Sequence, residues 1–172
     1  MKGGDGMEMN QSSTTKDYIE KIIDKYSDMI IRIAYIQMKN MSDAEDAAQD
    51  VFLKLIEKPR YFESSDHEKA WLIRVAINLC KDRKKMAWLR KNKTIPLQDS
   101  LCNITQEKSE KLEAIMELPM KYRSIILLYY YEDYSIKEIS NIMGIKEATI
   151  GSQLHRAREL LKTKLKGGLG DE

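Results

Sequence analysis

The segment from Ser135 to Leu161 constrains this chain most. Ser135-Ile136-Lys137-Glu138 has the S-x-x-E form of a capping box, in which the serine oxygen takes a backbone N–H and the glutamate reaches back. Ile136, Ile139, Ile142 and Met143 then give a short helix one apolar face. Gly144 stands where a left-handed residue turns the chain sharply, and Ile145 plugs the gap. A longer helix follows, with Ile150, Leu154, Ala157 and Leu161 inward. Short helix, glycine turn, apolar plug and longer helix make a helix-turn-helix. The N-terminal half of its second helix is the part that enters a major groove. Glu147, Thr149, Gly151, Ser152 and His155 are its outward positions. Arg156, Arg158, Lys162, Lys164 and Lys166 make the distal part basic, as phosphate contacts require. The competing reading of this segment is a solvated amphipathic hairpin.

Net charge does not decide between them. Lys and Arg exceed Asp and Glu by only two, so the placement of charge has to carry the argument. Cys80 and Cys102 stand far apart with no CxxC spacing, which argues against a disulfide framework or a zinc site and for a reducing compartment. Cys80 lies on an apolar helix pattern and reads as a small core residue. The first 16 residues lack the apolar region of a signal peptide, and the longest apolar run, Ile125 to Tyr131, is too short to span a bilayer. The chain is expected to be cytoplasmic, with no membrane contact of its own.

Periodicity gives the rest of the organisation. Residues 1–16 read as a disordered tail. From Tyr18, the stripe Ile19, Ile22, Ile23, Tyr26, Ile30, Ile33 and Ala34 has helical spacing. Ser42-Asp43-Ala44-Glu45 predicts a capping box for a second helix, with Ala48, Val51, Phe52 and Leu55 inward and Pro59 ending it. A loop, Arg60 to Asp66, carries Tyr61 and Phe62, and Asp66 is the expected N-cap of a third helix. Trp71, Leu72, Val75, Ala76, Leu79 and Cys80 are placed on one side of it. Periodicity fails over residues 89–107, where Pro96 and Asn103 mark a flexible linker. It resumes near Lys108, breaks at Leu118-Pro119 and restarts with the proline in a first turn. The expectation is all-α: two small helical domains, 17–88 and 108–166, joined by the linker, the second carrying the helix-turn-helix, with 167–172 a tail.

Two charge blocks in the first domain are informative together. The second helix is acidic on its polar face, at Asp43, Glu45, Asp46 and Asp50. The third is basic, at Lys69, Arg74, Lys81, Arg83, Lys84 and Lys85, and has Trp71 within it. Taken singly, the acidic face reads as an ordinary solvated surface, and the basic helix reads as a grip on DNA, the alternative being solubilising lysines with Trp71 in the core. Taken together, they read as a protein-binding face and a face that grips DNA and stacks on unpaired bases.

From about Tyr18 to Lys166 the chain resembles the bacterial sigma factors of the extracytoplasmic-function group. Asp43 to Leu53 (DAEDAAQDVFL) is similar to that family's polymerase-binding segment. Ala70-Trp71-Leu72, Val75-Ala76, Asn78 and Asp82 are similar to its promoter-melting helix. Leu118-Pro119, Tyr134-Ser135, Glu138-Ile139, Gly144-Ile145 and Leu154-His155-Arg156-Ala157-Arg158 resemble its upstream-element domain. The resemblance implies that Asp46, Gln49, Asp50 and Leu53 dock on core RNA polymerase. It implies that Tyr61, Phe62, Lys69, Trp71, Arg74, Asn78, Lys81 and Lys85 engage the downstream promoter element. A base of the non-template strand would flip into a pocket under the 60–66 loop, at a cost of a few kcal/mol. Glu147, Thr149, Ser152, His155, Arg156 and Arg158 would read the upstream duplex. Partners are then core polymerase, promoter DNA and an anti-sigma factor, with the free chain a monomer. No catalysis, cofactor or metal is implied.

The chain departs from the family pattern at Lys146, Gly151 and Gln153, where serine, lysine and arginine are common. Lysine does not cap a helix N-terminus, a loss of roughly 1 kcal/mol, and glycine inside a helix costs roughly another. Three other readings compete: a free-standing promoter-binding regulator, a module that sequesters polymerase without initiating, and an enzyme. The regulator has no use for the acidic 43–53 segment. The enzyme lacks a partner at a sensible spacing for His67 or His155.

Overall fold

The computed structural model describes residues 5–89 and 106–167, and every element among them is a helix. These are α1 (Asp5–Met38), α2 (Met41–Glu57), α3 (Ser65–Leu89), α4 (Gln106–Met116), α5 (Met120–Tyr130), α6 (Ile136–Met143) and α7 (Glu147–Gly167). The expected tail 1–16 is helical from Asp5 onward, since neither proline nor a second glycine interrupts α1 between Gly6 and Met38. Most of the expected linker, residues 90–105, lies outside the described residues.

Helices α1, α2 and α3 pack together around Ile30, Ile33, Val51, Leu55, Leu72 and Ile73, all fully buried. Helices α4 to α7 enclose Ile125, Leu127, Leu128, Ile139, Ile150, Leu154 and Ala157. The Cys80 thiol is fully buried as expected, and burial pushes its pKa up to about 11, so it is a poor nucleophile at neutral pH.

Two predicted helix starts are displaced. Helix α2 begins at Met41, and its cap is Asn40, whose side chain accepts the Asp43 N–H at 2.9 Å; Ser42 is not the cap. Asparagine caps as well as serine does, and Lys39, left-handed at φ 59°, turns the chain there. Helix α3 begins at Ser65, and Ser64 rather than Asp66 takes the cap, accepting the His67 N–H at 3.1 Å. Asp66 and Glu68 thereby fall in the first turn, where negative charge suits the helix dipole.

The two halves share one continuous apolar core, because α5 and α4 pack on α1 and α6 packs on α3. A helix ends with unpaired carbonyls. Those of Ile36 and Gln37, in the last turn of α1, accept hydrogen bonds from Arg123 of α5 at 2.8 and 3.1 Å. Arg123 is only 4% exposed, so its cation caps the negative end of α1 in a buried place. Gln37 Nε2 donates to Ser124 Oγ at 2.9 Å beside it. Farther along, the Glu132 carboxylate sits between Arg32 Nη2 at 2.7 Å and Lys69 Nζ at 3.0 Å.

Lys84 lies near this junction. Burial first, and then the charges of Arg123 and Lys39, hold its pKa down to about 8 from the ordinary 10.5. The unfolded chain therefore binds the extra proton between these values, and Lys84 makes the fold more stable as pH rises through that range. Cys80 acts in the opposite sense above its ordinary value of 9.0. Urea midpoints are expected to rise from pH 7.5 to 9 in the wild type and to rise less in Lys84→Met; equal slopes would refute the assignment.

Candidate functional site

Three surfaces carry the residues singled out by sequence. The first is on α2. At about 100° per residue, Asp46, Gln49, Asp50 and Leu53 share one face. That face lies opposite the buried Ala44, Ala48, Val51 and Leu55. Leu53 is 49% exposed although apolar, with two exposed acidic or amide neighbours, Asp46 and Gln49. Asp50 is half-buried and accepts a hydrogen bond from Arg83 Nη2 of α3 at 2.5 Å, which raises the arginine's pKa further. An apolar side chain ringed by carboxylates suits a basic protein partner with an apolar centre.

The second surface is on α3. The same rotation places Trp71, Arg74, Asn78, Lys81 and Lys85 on one outward stripe. Leu72, Ile73, Ala76, Ile77 and Cys80 form the buried side opposite. Trp71 is half-buried: it packs against the core, as Val75 and Leu79 do, and borders the outward stripe with its remaining surface. Phe62 from the preceding loop packs on it at 5.6 Å, and the Arg60 guanidinium lies 5.3 Å over its ring. Tyr61, on the same loop, is 74% exposed.

Lys69 separates from this group. It projects from the buried side of α3, where it pairs with Glu132 and lies 5.3 Å over the Tyr134 ring. Burial, with Glu132 adding to it, pushes Tyr134 up to about 12. His67 was not among the predicted contacts, and Arg60 only as an end of the 60–66 loop, yet both pack with this group. His67 is exposed, lies one turn before Trp71 on its stripe and meets Phe62 edge-on at 5.6 Å. The heptad-like spacing 67, 71, 74, 78 was the signal for His67; nothing in the sequence marked the Arg60 stack.

The third surface is the helix-turn-helix. The capping box forms as expected: Glu138 N–H donates to Ser135 Oγ at 3.2 Å, and Ser135 N–H donates to the Glu138 carboxylate at 2.8 Å. These bonds hold the Glu138 pKa below the usual range. Gly144 is left-handed, with φ 66°, and Ile145 behind it is half-buried. On α7, Thr149, Ser152, His155 and Arg156 point away from the buried line Ile150, Leu154 and Ala157. Glu147 and Arg158 flank that line. Arg158 is already engaged, its Nε donating to Tyr130 Oη at 2.6 Å with the guanidinium over the Tyr129 ring.

The second and third surfaces meet. A Cβ placed on Gly144 would lie 3.3 Å from Arg74 Nη2, so the stripe of α3 reaches the turn of the helix-turn-helix. Among the described residues, no cluster of His, Cys, Asp or Glu is arranged to hold a metal ion, and no helix is long and apolar enough to cross a membrane.

The comparison with known proteins decides what these surfaces belong to. Residues 22–93 match sigma-70 region 2, and residues 111–161 match sigma-70 region 4. The chain is 32% identical over 169 residues to the sigma factor SigM of Bacillus subtilis, covering 90% of this chain and 99% of that one. It is 30% identical to SigW of the same organism, covering 88% and 90%. The chain is an RNA polymerase sigma factor of the extracytoplasmic-function group. Its fold is also that of the sigma factor RpoE of Bartonella quintana, solved with the anti-sigma factor NepR, at TM-score 0.69, 23% identity and coverage of 88% and 98%.

As a sigma factor, the chain binds core RNA polymerase and directs promoter recognition and transcription initiation. In this sigma factor the departures at Lys146, Gly151 and Gln153 sit at the start of α7. Lys146 flanks the helix, its carbonyl accepting the Thr149 and Ile150 N–H groups. Gly151 has open space where a Cβ would stand. Gly151→Ala is therefore expected to stabilise the protein by about 1 kcal/mol in denaturant titration. Gly151→Lys is expected to tighten binding to upstream promoter duplex several-fold, with a steeper salt dependence in fluorescence anisotropy. Unchanged affinity and salt slope would show that position 151 does not face the duplex.

Proposed function

We propose that the three surfaces divide initiation among them. Asp46, Gln49, Asp50 and Leu53 dock α2 on core polymerase. The loop 60–66 with Tyr61 and Phe62, and the α3 stripe Trp71, Arg74, Asn78, Lys81 and Lys85 extended by His67, take the downstream element and its opened non-template strand. Thr149, Ser152, His155 and Arg156, flanked by Glu147 and Arg158, read the upstream duplex. Residues 17–88 and 108–166 are the two functional domains, and 89–107 connects them on the enzyme. The observation that carries this reading is the α3 stripe, where four polar or basic side chains continue in register from an indole that packs against an aromatic loop. Lys69 joins the DNA only by leaving Glu132, its partner across the two halves. The protein works in the cytoplasm without catalysis of its own. An anti-sigma factor binds it, as NepR binds its structural neighbour.

Run-off transcription with core polymerase over a promoter library tests this. The wild type is expected to initiate at discrete sites. Trp71→Ala is expected to bind core normally yet leave the start region unreactive to permanganate. Permanganate reactivity of the start region as strong in Trp71→Ala as in the wild type would remove the α3 stripe from the melting step.

A further inference from the structure

The loop between α2 and α3 is held from two directions, and only one of them is the tryptophan side. Phe62 turns in against Trp71 and His67. Tyr61 turns the other way and lies on Tyr18 of α1, ring centroids 5.6 Å apart and planes at 26°. Its hydroxyl is 3.3 Å from Thr15 Oγ1. Tyr18 is itself anchored: its hydroxyl donates to Glu68 Oε2 at 2.9 Å. Glu68 is only 8% exposed, in the first turn of α3, with Lys25 Nζ 3.8 Å from its other oxygen. Two turns beyond Tyr18 on α1, Tyr26 lies within hydrogen-bond distance of the Ser65 carbonyl and hydroxyl. A chain of contacts thus runs from the buried Glu68, through Tyr18, to an aromatic ring that is 74% exposed.

We propose that Tyr18 is a positioning residue for promoter opening, holding Tyr61 as a preformed platform on which an unpaired base stacks. This rests on the reading that the 60–66 loop takes the opened strand. An exposed tyrosine on a loop samples several rotamers, and fixing one on binding costs side-chain entropy. Tyr18 removes that cost, because it covers one face of the Tyr61 ring and leaves the rest to solvent. Base-on-aromatic stacking is worth about 1–3 kcal/mol per base and is indifferent to sequence, so the platform serves capture of the opened strand more than its reading. Glu68 contributes by fixing the rotamer of Tyr18.

The test uses the full-length protein with core polymerase on a promoter that the wild type selects from the library. Tyr18→Leu and Tyr61→Leu are each expected to lower open-complex formation about 10-fold, read by permanganate reactivity of the non-template strand. Core affinity is expected to stay unchanged. Tyr18→Phe keeps the stack and is expected to restore most of the opening. The double variant is expected to be no worse than Tyr61→Leu alone. Wild-type opening in Tyr61→Leu, whose exposed side chain does not endanger folding, would overturn the proposal. So would losses in the two leucine variants that simply multiply, which would mean that Tyr18 acts on the fold and not through Tyr61. If the wild type initiates but even the Trp71→Ala variant melts DNA normally, the assignment of the loop fails and the platform with it.

Discussion

Asp50→Arg is expected to lower affinity for core RNA polymerase on the order of 100-fold, the scale for losing a charge at a paired, desolvated interface position. Asp50 shares its face of α2 with Asp46, Gln49 and Leu53, and inside the molecule it already pairs with Arg83. The substitution therefore removes a carboxylate from the proposed docking face and sets two cations against each other. These effects separate in the swapped variant Asp50→Arg with Arg83→Asp, which restores the internal pair with its charges exchanged. If α2 must present its carboxylate to polymerase, the swap recovers thermal stability but not binding, measured by pull-down of core enzyme. Recovery of binding by the swap would mean that Asp50 serves only to join α2 to α3.

Arg123→Ala is expected to have the second large effect. The variant leaves the Ile36 and Gln37 carbonyls without their donor in a buried place and opens a cavity beside Ser124. Leaving a buried acceptor without its donor costs about 1–3 kcal/mol, and two carbonyls lose theirs here. Arg32 and Lys69 still pair with the nearly buried Glu132 carboxylate across the junction, but neither supplies the missing donor at the end of α1. The two helical halves are expected to part, giving a larger radius of gyration in small-angle scattering while helix content by circular dichroism changes little. An unchanged radius would mean that the shared apolar core alone keeps the halves together.

Residues whose structure is set by near neighbours were legible in advance. The Ser135–Glu138 box, the left-handed Gly144 and the buried stripe Ile150, Leu154 and Ala157 all depend on contacts within a few positions along the chain. The same holds for the acidic face of α2, whose 3-and-4 spacing fixes its direction. Caps were less legible because several polar residues in a row compete for the role. Asn40 and Ser64 took it where Ser42 and Asp66 had been expected, because packing of α1 on α2 and of the loop on α3 set where each helix begins. Lys69 was grouped with Trp71 by composition, yet two positions along a helix is about 200° of rotation, which carries it to the opposite side.

The helix-turn-helix from Ser135 to Leu161 was determined by the sequence itself, as were the helical class and the two charged faces of the first domain. Each is a matter of periodicity and local capping, whose energetics depend on near neighbours along the chain. The tertiary structure alone decided how those faces are occupied. Glu132 holds Lys69, Arg123 closes the end of α1, Gly144 meets Arg74, and Tyr18 holds Tyr61. Each of these contacts joins residues more than 40 positions apart, where no spacing rule applies. Desolvation and hydrogen-bond geometry in the packed core select them.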